Sequence, residues 1–156
     1  MDAESARGAD LPAGHSSVQT GPMDLQLTKD SIDLGIVVRD IDAALAFYRD
    51  VLGFEPAGDS AMPGGAHMHR LMCGTSMIKL LHFDPTPEAA NPPGAIHKAS
   101  GYRYWTISVA DVAAVAAACE AAGVKLKVPP TEVMPGATIA IVADPDGNWV
   151  EFLQRT

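Results

Sequence analysis

The sequence predicts an α+β protein made of two tandem β-α-β-β-β modules, whose strands form a cupped mixed sheet with the helices on its outer face. Three observations predict this fold. The hydrophobic pattern passes twice through the same order of elements. Residues 38–41 match residues 109–112 at an offset of 71, and residues 78–81 match residues 150–153 at an offset of 72. Since one register relates both pairs to within a residue, we interpret the chain as an internal duplication.

The first module is predicted over residues 30–83. Its first strand is followed by Asp40, a residue type that favours a helix N-cap, and Gly53 is suited to end that helix. Apolar residues recur at helical spacing between these two positions. The predicted strands of this module span residues 32–38, 54–57, 67–73 and 76–83.

The second module is predicted over residues 101–156. Asp111 is expected to cap its helix and Gly123 to end it. Residues 144–148 are predicted to form a tight turn, in which Gly147 supplies a positive φ angle. The predicted strands span residues 102–109, 124–128, 139–143 and 149–154, and Pro129 and Pro130 are expected to end the second of them.

Two segments are predicted to lie outside the modules. Residues 1–29, which include His15, show no hydrophobic periodicity and are expected to be a flexible tail. That tail lacks the apolar core of a secretory signal. Residues 84–100 are rich in proline and are predicted to be the linker between the modules.

Composition excludes several classes of function. The net charge of −8 argues against a nucleic-acid partner, because binding to phosphate backbones depends on clustered Lys and Arg. No apolar run approaches the roughly 18 residues of a membrane span. Cys73 and Cys119 are too few for a disulfide framework and are expected to be buried, reduced thiols. We therefore expect a cytoplasmic protein without a membrane partner.

Two segments resemble a known superfamily. Residues 41–54 and residues 144–152 are similar to the helix with its exit turn and to the closing hairpin of the vicinal oxygen chelate superfamily. This superfamily includes glyoxalase I, bleomycin-resistance proteins, extradiol dioxygenases and methylmalonyl-CoA epimerase. The resemblance covers residues 31–155 and implies the glyoxalase-like fold. It does not by itself imply one reaction, because the superfamily hosts many.

The resemblance also implies four positions for the site. Metal-dependent members use ligands from the first and last strands of each module, usually His or Gln, Glu, His and Glu. The matching positions here hold Asp33, Lys79, Tyr104 and Glu151, and the internal offsets of 71 and 72 relate them in pairs. Of these residues Glu151 alone matches the usual set.

A conventional metal site is therefore not favoured. The ammonium of Lys79 has no lone pair, and deprotonating it at pH 7 costs about 4–5 kcal/mol. Tyr104 is a poor ligand for zinc or magnesium, whereas Asp33 is an acceptable one. We expect no cofactor. A divalent metal held by Glu151 and Asp33, with Tyr104 or a histidine completing the shell, remains the alternative.

The same four residues are candidates for metal-free catalysis. Lys79 is predicted to pair with Glu151 and to anchor a substrate carboxylate or enolate. Tyr104 is predicted to hydrogen-bond to Asp33 and to act as the acid, with Glu151 or Asp33 as the base. The alternative is that these residues are the satisfied polar remnant of a former metal site.

Further residues are expected to line the cleft beside them. Strand alternation places Leu81, Thr106 and Trp149 on the cleft face, whereas Trp105 should pack in the core. His67 and His69 share one face of their strand. If that face is the cleft, they bind substrate or a displaced metal, or act as acid and base; otherwise one lies at the cleft rim and the other in a loop end. His82 should point away from Lys79, and His97 should be exposed.

Three functions fit these expectations. The first is an enzyme, of lyase, isomerase or dioxygenase-like type, acting on a small organic molecule in the cleft between the modules. The second is a protein that binds a drug or antibiotic without catalysis. The third is a regulatory subunit that has lost the chemistry. Exposed sheet edges make a homodimer plausible in each case.

Overall fold

The computed structural model describes residues 25–156, and residues 31–156 form one compact unit. Most of the predicted tail, including His15, lies outside the described residues. Within residues 25–156, no helix combines the length and apolar character needed to cross a membrane.

Both modules contain the predicted succession of strands and one helix. The caps are those expected, since the carboxylate of Asp40 accepts from the Ala43 amide at 3.0 Å and that of Asp111 from the Ala114 amide at 2.9 Å. A short 3-10 turn at Ile96–Lys98 lies in the linker and leaves His97 exposed, as predicted. The first module consists of β1 (Leu34–Val38), α1 (Ile41–Leu45, continued by a π-helical segment at Ala46–Val51), β2 (Glu55–Met62), β3 (Ala66–Cys73) and β4 (Ser76–Phe83). The second consists of β5 (Tyr104–Ser108), α2 (Val112–Ala121), β6 (Leu126–Met134), β7 (Ala137–Ala143) and β8 (Trp149–Arg155).

The two modules form two four-stranded mixed sheets of identical topology. Their strand orders are β1-β4-β3-β2 and β5-β8-β7-β6. In each sheet the first and last strands of the module are parallel neighbours, and the other pairs are antiparallel. Gly35 lies opposite Lys79, and Thr106 lies opposite Glu151. The offsets read from the sequence therefore hold in the backbone register, and the predicted fold class is confirmed.

The strands at the outer edges are longer than predicted. Strand β6 runs through Pro129 and Pro130, although these residues were expected to end it. Proline lacks the amide hydrogen needed in a central strand, but β6 has a neighbour on one side only. Its pairing with β7 also shifts register between Val128 and Thr131, where the prolines lie. Strand β2, the other outer edge, extends to Met62 with a similar shift.

The core lies between the sheets and the helices. An aromatic cluster spans the modules, because the ring of Trp105 lies 6.3 Å from those of Tyr48 and Phe54. This confirms the predicted core position of Trp105. The π-helical segment buries two neighbouring residues, Phe47 and Tyr48, in an edge-to-face contact of 4.8 Å. Core residues of both modules join one cluster, which includes Val38, Leu71, Ile78, Leu80, Val112, Cys119, Val142, Val150 and Phe152.

One buried hydrogen bond connects the modules inside this core. The hydroxyl of Tyr48, which has no exposed surface, donates to Oδ2 of Asp144 at 2.7 Å. Asp144 is 5% exposed and also accepts from the amides of Asp146 and Asn148 and from Nδ2 of Asn148. Burial, and secondarily the charge of Asp144, raise the pKa of Tyr48, so that its proton stays in this bond. The predicted turn is confirmed, with Gly147 at φ +83°.

Replacing Tyr48 with Phe tests this connection. The variant Tyr48→Phe leaves a buried carboxylate oxygen with one donor fewer, so we expect a loss of about 1–3 kcal/mol in the free energy of unfolding. Urea denaturation followed by circular dichroism measures this loss. Tyr102→Phe is the matched control, because Tyr102 is fully exposed. An equal effect of both variants would contradict a specific role of the Tyr48–Asp144 bond.

Candidate functional site

The cleft face is the sheet face that points away from the core. Ile78 and Leu80 are 1% and 0% exposed, whereas Lys79 between them is partly exposed, as strand alternation requires. In β5, Tyr104 and Thr106 are exposed while Trp105 packs against the core. Since register partners share a face, the predicted cleft residues lie on one side of the two sheets: Lys79, Leu81, Tyr104, Thr106, Trp149 and Glu151.

In the first module, Lys79 is paired within its own sheet. Its Nζ atom lies 3.7 Å from Oδ2 of Asp33, while Oδ1 of Asp33 accepts from the Met77 amide at 3.0 Å. The predicted ion pair between Lys79 and Glu151 is therefore wrong. Asp33 directly precedes β1, which lies beside the strand β4 that carries Lys79. Its carboxylate is therefore closer to Lys79 along the sheet than that of Glu151, which belongs to the other module.

In the second module, a threonine holds the carboxylate. The hydroxyl of Thr106 donates to Oε1 of Glu151 at 2.8 Å. Tyr104 is 48% exposed, and its predicted hydrogen bond to Asp33 is absent from the described residues. The equivalent of Thr106 in the first module is Gly35, which has no side chain to offer Lys79. The four predicted positions thus form two separate half-sites, Asp33–Lys79 and Thr106–Glu151.

These residues do not fit a conventional metal centre. Lys79 places an ammonium where a ligand would be needed, and it occupies Asp33 as its counter-ion. Within residues 25–156, no three His, Cys, Asp or Glu side chains are grouped so that they could hold a metal ion. No chemical step is therefore assigned to a metal here.

A cavity of about 570 Å³ lies at the seam between the modules. It is lined by the start of β1, the turn between β3 and β4, and residues 105–108 of β5. Thr106 reaches it directly, and Asp33 lies between two lining residues, Ile32 and Leu34. The Thr106–Glu151 half-site therefore contacts this cavity through Thr106, and the cavity is large enough for a small organic ligand.

His67 and His69 lie on the opposite face of the first sheet. His67 pairs with His82 and His69 with Leu80, so these side chains share the helix side with the buried Leu71. The condition for substrate binding, that their face is the cleft, is therefore not met, because strand alternation turns them away from Lys79. Instead, Nε2 of His67 lies 2.6 Å from Oδ2 of Asp59.

Arg70 is a cleft residue that the sequence reasoning missed. It is the register partner of Lys79 and therefore lies on the cleft face, with Nη2 donating to Oγ of Ser60 at 2.9 Å. Met68 and Met72 flank it on the same face. Strand alternation could have identified Arg70 from the sequence. If His67 and His69 lie on the helix side of β3, Arg70 must lie on the cleft face.

The remaining predicted residues keep their expected positions. Trp149 lies opposite Tyr104, so the two aromatic side chains are neighbours on the cleft face. Leu81 lies between Val37 and Met68. Cys119 is a buried free thiol as expected, whereas the free thiol of Cys73 is only partly buried; burial raises the pKa of both, which keeps them protonated at neutral pH.

Comparison with known proteins identifies the fold family. A family model described as the Glyoxalase/Bleomycin resistance protein/Dioxygenase superfamily matches residues 31–152. No curated protein matches the chain. Among solved structures, a glyoxalase family protein from Bacillus cereus is 17% identical with a TM-score of 0.71, the match covering 86% of this chain and 99% of that one.

Two further structures share this fold. A glyoxalase family protein from Enterococcus faecalis is 24% identical with a TM-score of 0.59, over 79% of this chain and 92% of that one. Glyoxalase I from Zea mays is 22% identical with a TM-score of 0.68, over 80% of this chain and 44% of that one. At these identities the likeness shows the fold alone.

Replacing Lys79 with Glu tests whether the lysine prevents metal binding. The variant Lys79→Glu puts a carboxylate beside Asp33, so we expect 1 mM Mn²⁺ to raise its melting temperature by a few degrees. The wild type and Lys79→Met, which lacks the additional ligand, should not respond. Differential scanning fluorimetry with and without EDTA measures the shift. A saturable shift in the wild type would show that a metal fits beside Lys79.

The pH dependence of stability tests the position of His69. Partial burial, and then the neighbouring His67, lower the pKa of His69. The unfolded chain therefore takes up a proton below about pH 6.5 that the folded protein does not, and stability should fall as the pH decreases below that value. Urea denaturation at pH 7.5 and 5.5 should show a smaller loss in His69→Gln than in the wild type. An equal loss would place His69 in solvent.

Proposed function

Because the chain belongs to the Glyoxalase/Bleomycin resistance protein/Dioxygenase superfamily, we propose that it is a metal-independent lyase or isomerase acting on a small organic molecule on the cleft face. The observation that carries this proposal is the separation of the cation from the carboxylate. Lys79 and Glu151 are held in different modules by different partners, so neither neutralises the other.

Lys79 is suited to stabilise a negatively charged oxygen. Its Nζ atom is 3.7 Å from Asp33, a distance of charge pairing beyond that of a hydrogen bond. The ammonium hydrogens thus remain available for a substrate carbonyl. Asp33 pairs with the lysine and positions it, which assigns Asp33 a supporting role rather than that of the base. When a proton leaves the carbon next to that carbonyl, the resulting enolate oxygen is stabilised by Lys79.

Glu151 is suited to act as the base. Its Oε1 atom is occupied by the hydroxyl of Thr106, and Oε2 has no hydrogen-bond partner among the described residues. That oxygen can take the proton from the substrate carbon. Delivery of a proton to the opposite face of the same carbon, or to a neighbouring carbon, completes an isomerisation, and expulsion of a leaving group completes an elimination. In this proposal Tyr104, which is exposed beside Trp149, donates a proton to the leaving group.

Deuterium exchange tests this proposal without knowledge of the full reaction. We expect the wild type to accelerate wash-in from D₂O at the carbon beside the carbonyl of pyruvate, 2-oxobutyrate or phenylpyruvate, followed by NMR. Glu151→Gln removes the base and should lower the rate about 10²–10⁴-fold. Lys79→Met should lower it about 10²–10³-fold. Lys127→Met, an exposed lysine on β6, is the matched control.

Two outcomes would contradict the proposal. Absence of exchange with all three acids would contradict the proposed proton transfer. An unchanged exchange rate in Glu151→Gln would contradict the role of Glu151 as the base. Circular dichroism of each variant separates a loss of chemistry from a loss of fold.

A second candidate function is binding of a planar compound without catalysis. The observation that favours it is the aromatic pair of Tyr104, 48% exposed, and Trp149 on the cleft face, in a chain of net charge −8. Flat cationic compounds stack on such surfaces. Quenching of tryptophan fluorescence by a panel of cationic aromatic drugs, lost in Trp149→Leu and unaccompanied by turnover, would support this function over the first.

A further inference from the structure

The charges on the cleft face of the first sheet do not balance. Lys79 is compensated by Asp33, but the guanidinium of Arg70 donates to a neutral partner, the hydroxyl of Ser60. Among residues 25–156, no carboxylate oxygen lies within ion-pair distance of Arg70. The carboxylate of the adjacent strand, Asp59, makes its direct contact with His67 and interacts with Arg70 only at longer range. A partly buried guanidinium without a carboxylate in direct contact is suited to bind an anion.

The position of Arg70 places this charge next to the proposed reactive centre. Arg70 and Lys79 are direct register partners on β3 and β4. Side chains at such positions leave the sheet about 4.5–5.5 Å apart at their Cβ atoms. A ligand whose carbonyl oxygen reaches Lys79 can therefore present a second, anionic group to Arg70. The serine contact uses one N–H of the guanidinium and leaves the other donors for that group.

The surface around the two cations is apolar. Met68 and Met72 flank Arg70 along β3, and Met77 and Leu81 flank Lys79 along β4. All four side chains are partly exposed on the cleft face. Methionine side chains adapt to irregular apolar shapes, so this surface suits the hydrocarbon or aromatic part of a ligand.

We infer that Arg70 is the substrate-carboxylate anchor, and that the substrate is an organic carboxylate with an apolar body lying on the methionine surface formed by Met68, Met72 and Met77. This inference rests on the proposed use of the cleft face as the binding surface. It assigns two different tasks to the two cations, since Arg70 binds the permanent charge and Lys79 the charge that develops during reaction. A planar guanidinium forms two parallel hydrogen bonds to a carboxylate, which an ammonium does not.

A matched pair of probes tests the inference. The probes are 4-phenylbutyrate and its neutral amide, 4-phenylbutanamide, titrated separately into ¹⁵N-labelled protein and followed by NMR. We expect the carboxylate to bind at least about 10-fold more tightly than the amide and to shift amide signals of β3 and β4. Arg70→Gln should remove this preference by weakening carboxylate binding about 10- to 100-fold while leaving amide binding unchanged.

Three variants keep the result interpretable. Arg155→Gln, an exposed arginine at the end of β8, should bind both probes like the wild type. Arg70→Lys preserves the charge and should show an intermediate preference. Ser60→Ala frees the guanidinium from β2 and should weaken carboxylate binding a few-fold, which tests the site even if Arg70→Gln does not fold.

The outcomes separate this inference from the proposed function. Equal binding of the carboxylate by the wild type and Arg70→Gln would overturn the inference, and the deuterium-exchange result would be unaffected. A carboxylate preference that depends on Arg70, without any exchange, would support the anchor and contradict the catalytic proposal. Failure of both probes to bind at 10 mM would also overturn the inference.

Discussion

The hydrogen bond between Tyr48 and Asp144 connects the two modules of the chain. Tyr48 comes from the helix of the first module, and Asp144 begins the turn before β8 in the second. Three further donors from that turn hold the carboxylate, so the charge is buried without being left unsatisfied. The turn leads directly into the strand that carries Glu151. A contact in the core thereby sets where one half-site lies relative to the other.

The two modules share the same backbone arrangement around the candidate site but carry different side chains at the equivalent positions. Both modules present the same register, with the last strand beside the first. The side chains at these equivalent positions are opposite in charge, because Lys79 corresponds to Glu151. Their partners also differ. Thr106 donates a hydrogen bond to Glu151, whereas the equivalent Gly35 has no side chain, and Lys79 pairs with Asp33. Two modules of equivalent topology thus carry a cation in one half and a carboxylate in the other.

The cleft face of the first sheet shows how alternation decides the role of a residue. The segment His67–Arg70 contains two histidines and one arginine, and residue type alone favours the histidines as functional groups. The pairing of β3 with β4 places Arg70 beside Lys79 and turns both histidines to the helix side. Since side chains alternate with a period of two, a strand cannot present neighbouring residues on the same face. The register therefore places the arginine, and neither histidine, on the cleft face.

The sequence by itself determined the fold, the caps of both helices, the turn at residues 144–148 and the four equivalent positions of the candidate site. These features depend on local pattern and on the internal repeat, which are visible along the chain. Only the tertiary structure decided the pairing of Lys79 with Asp33, the face of His67 and His69, and the passage of β6 through two prolines. The physical reason is that these depend on which strand lies beside which and in what register, contacts between residues far apart in the chain.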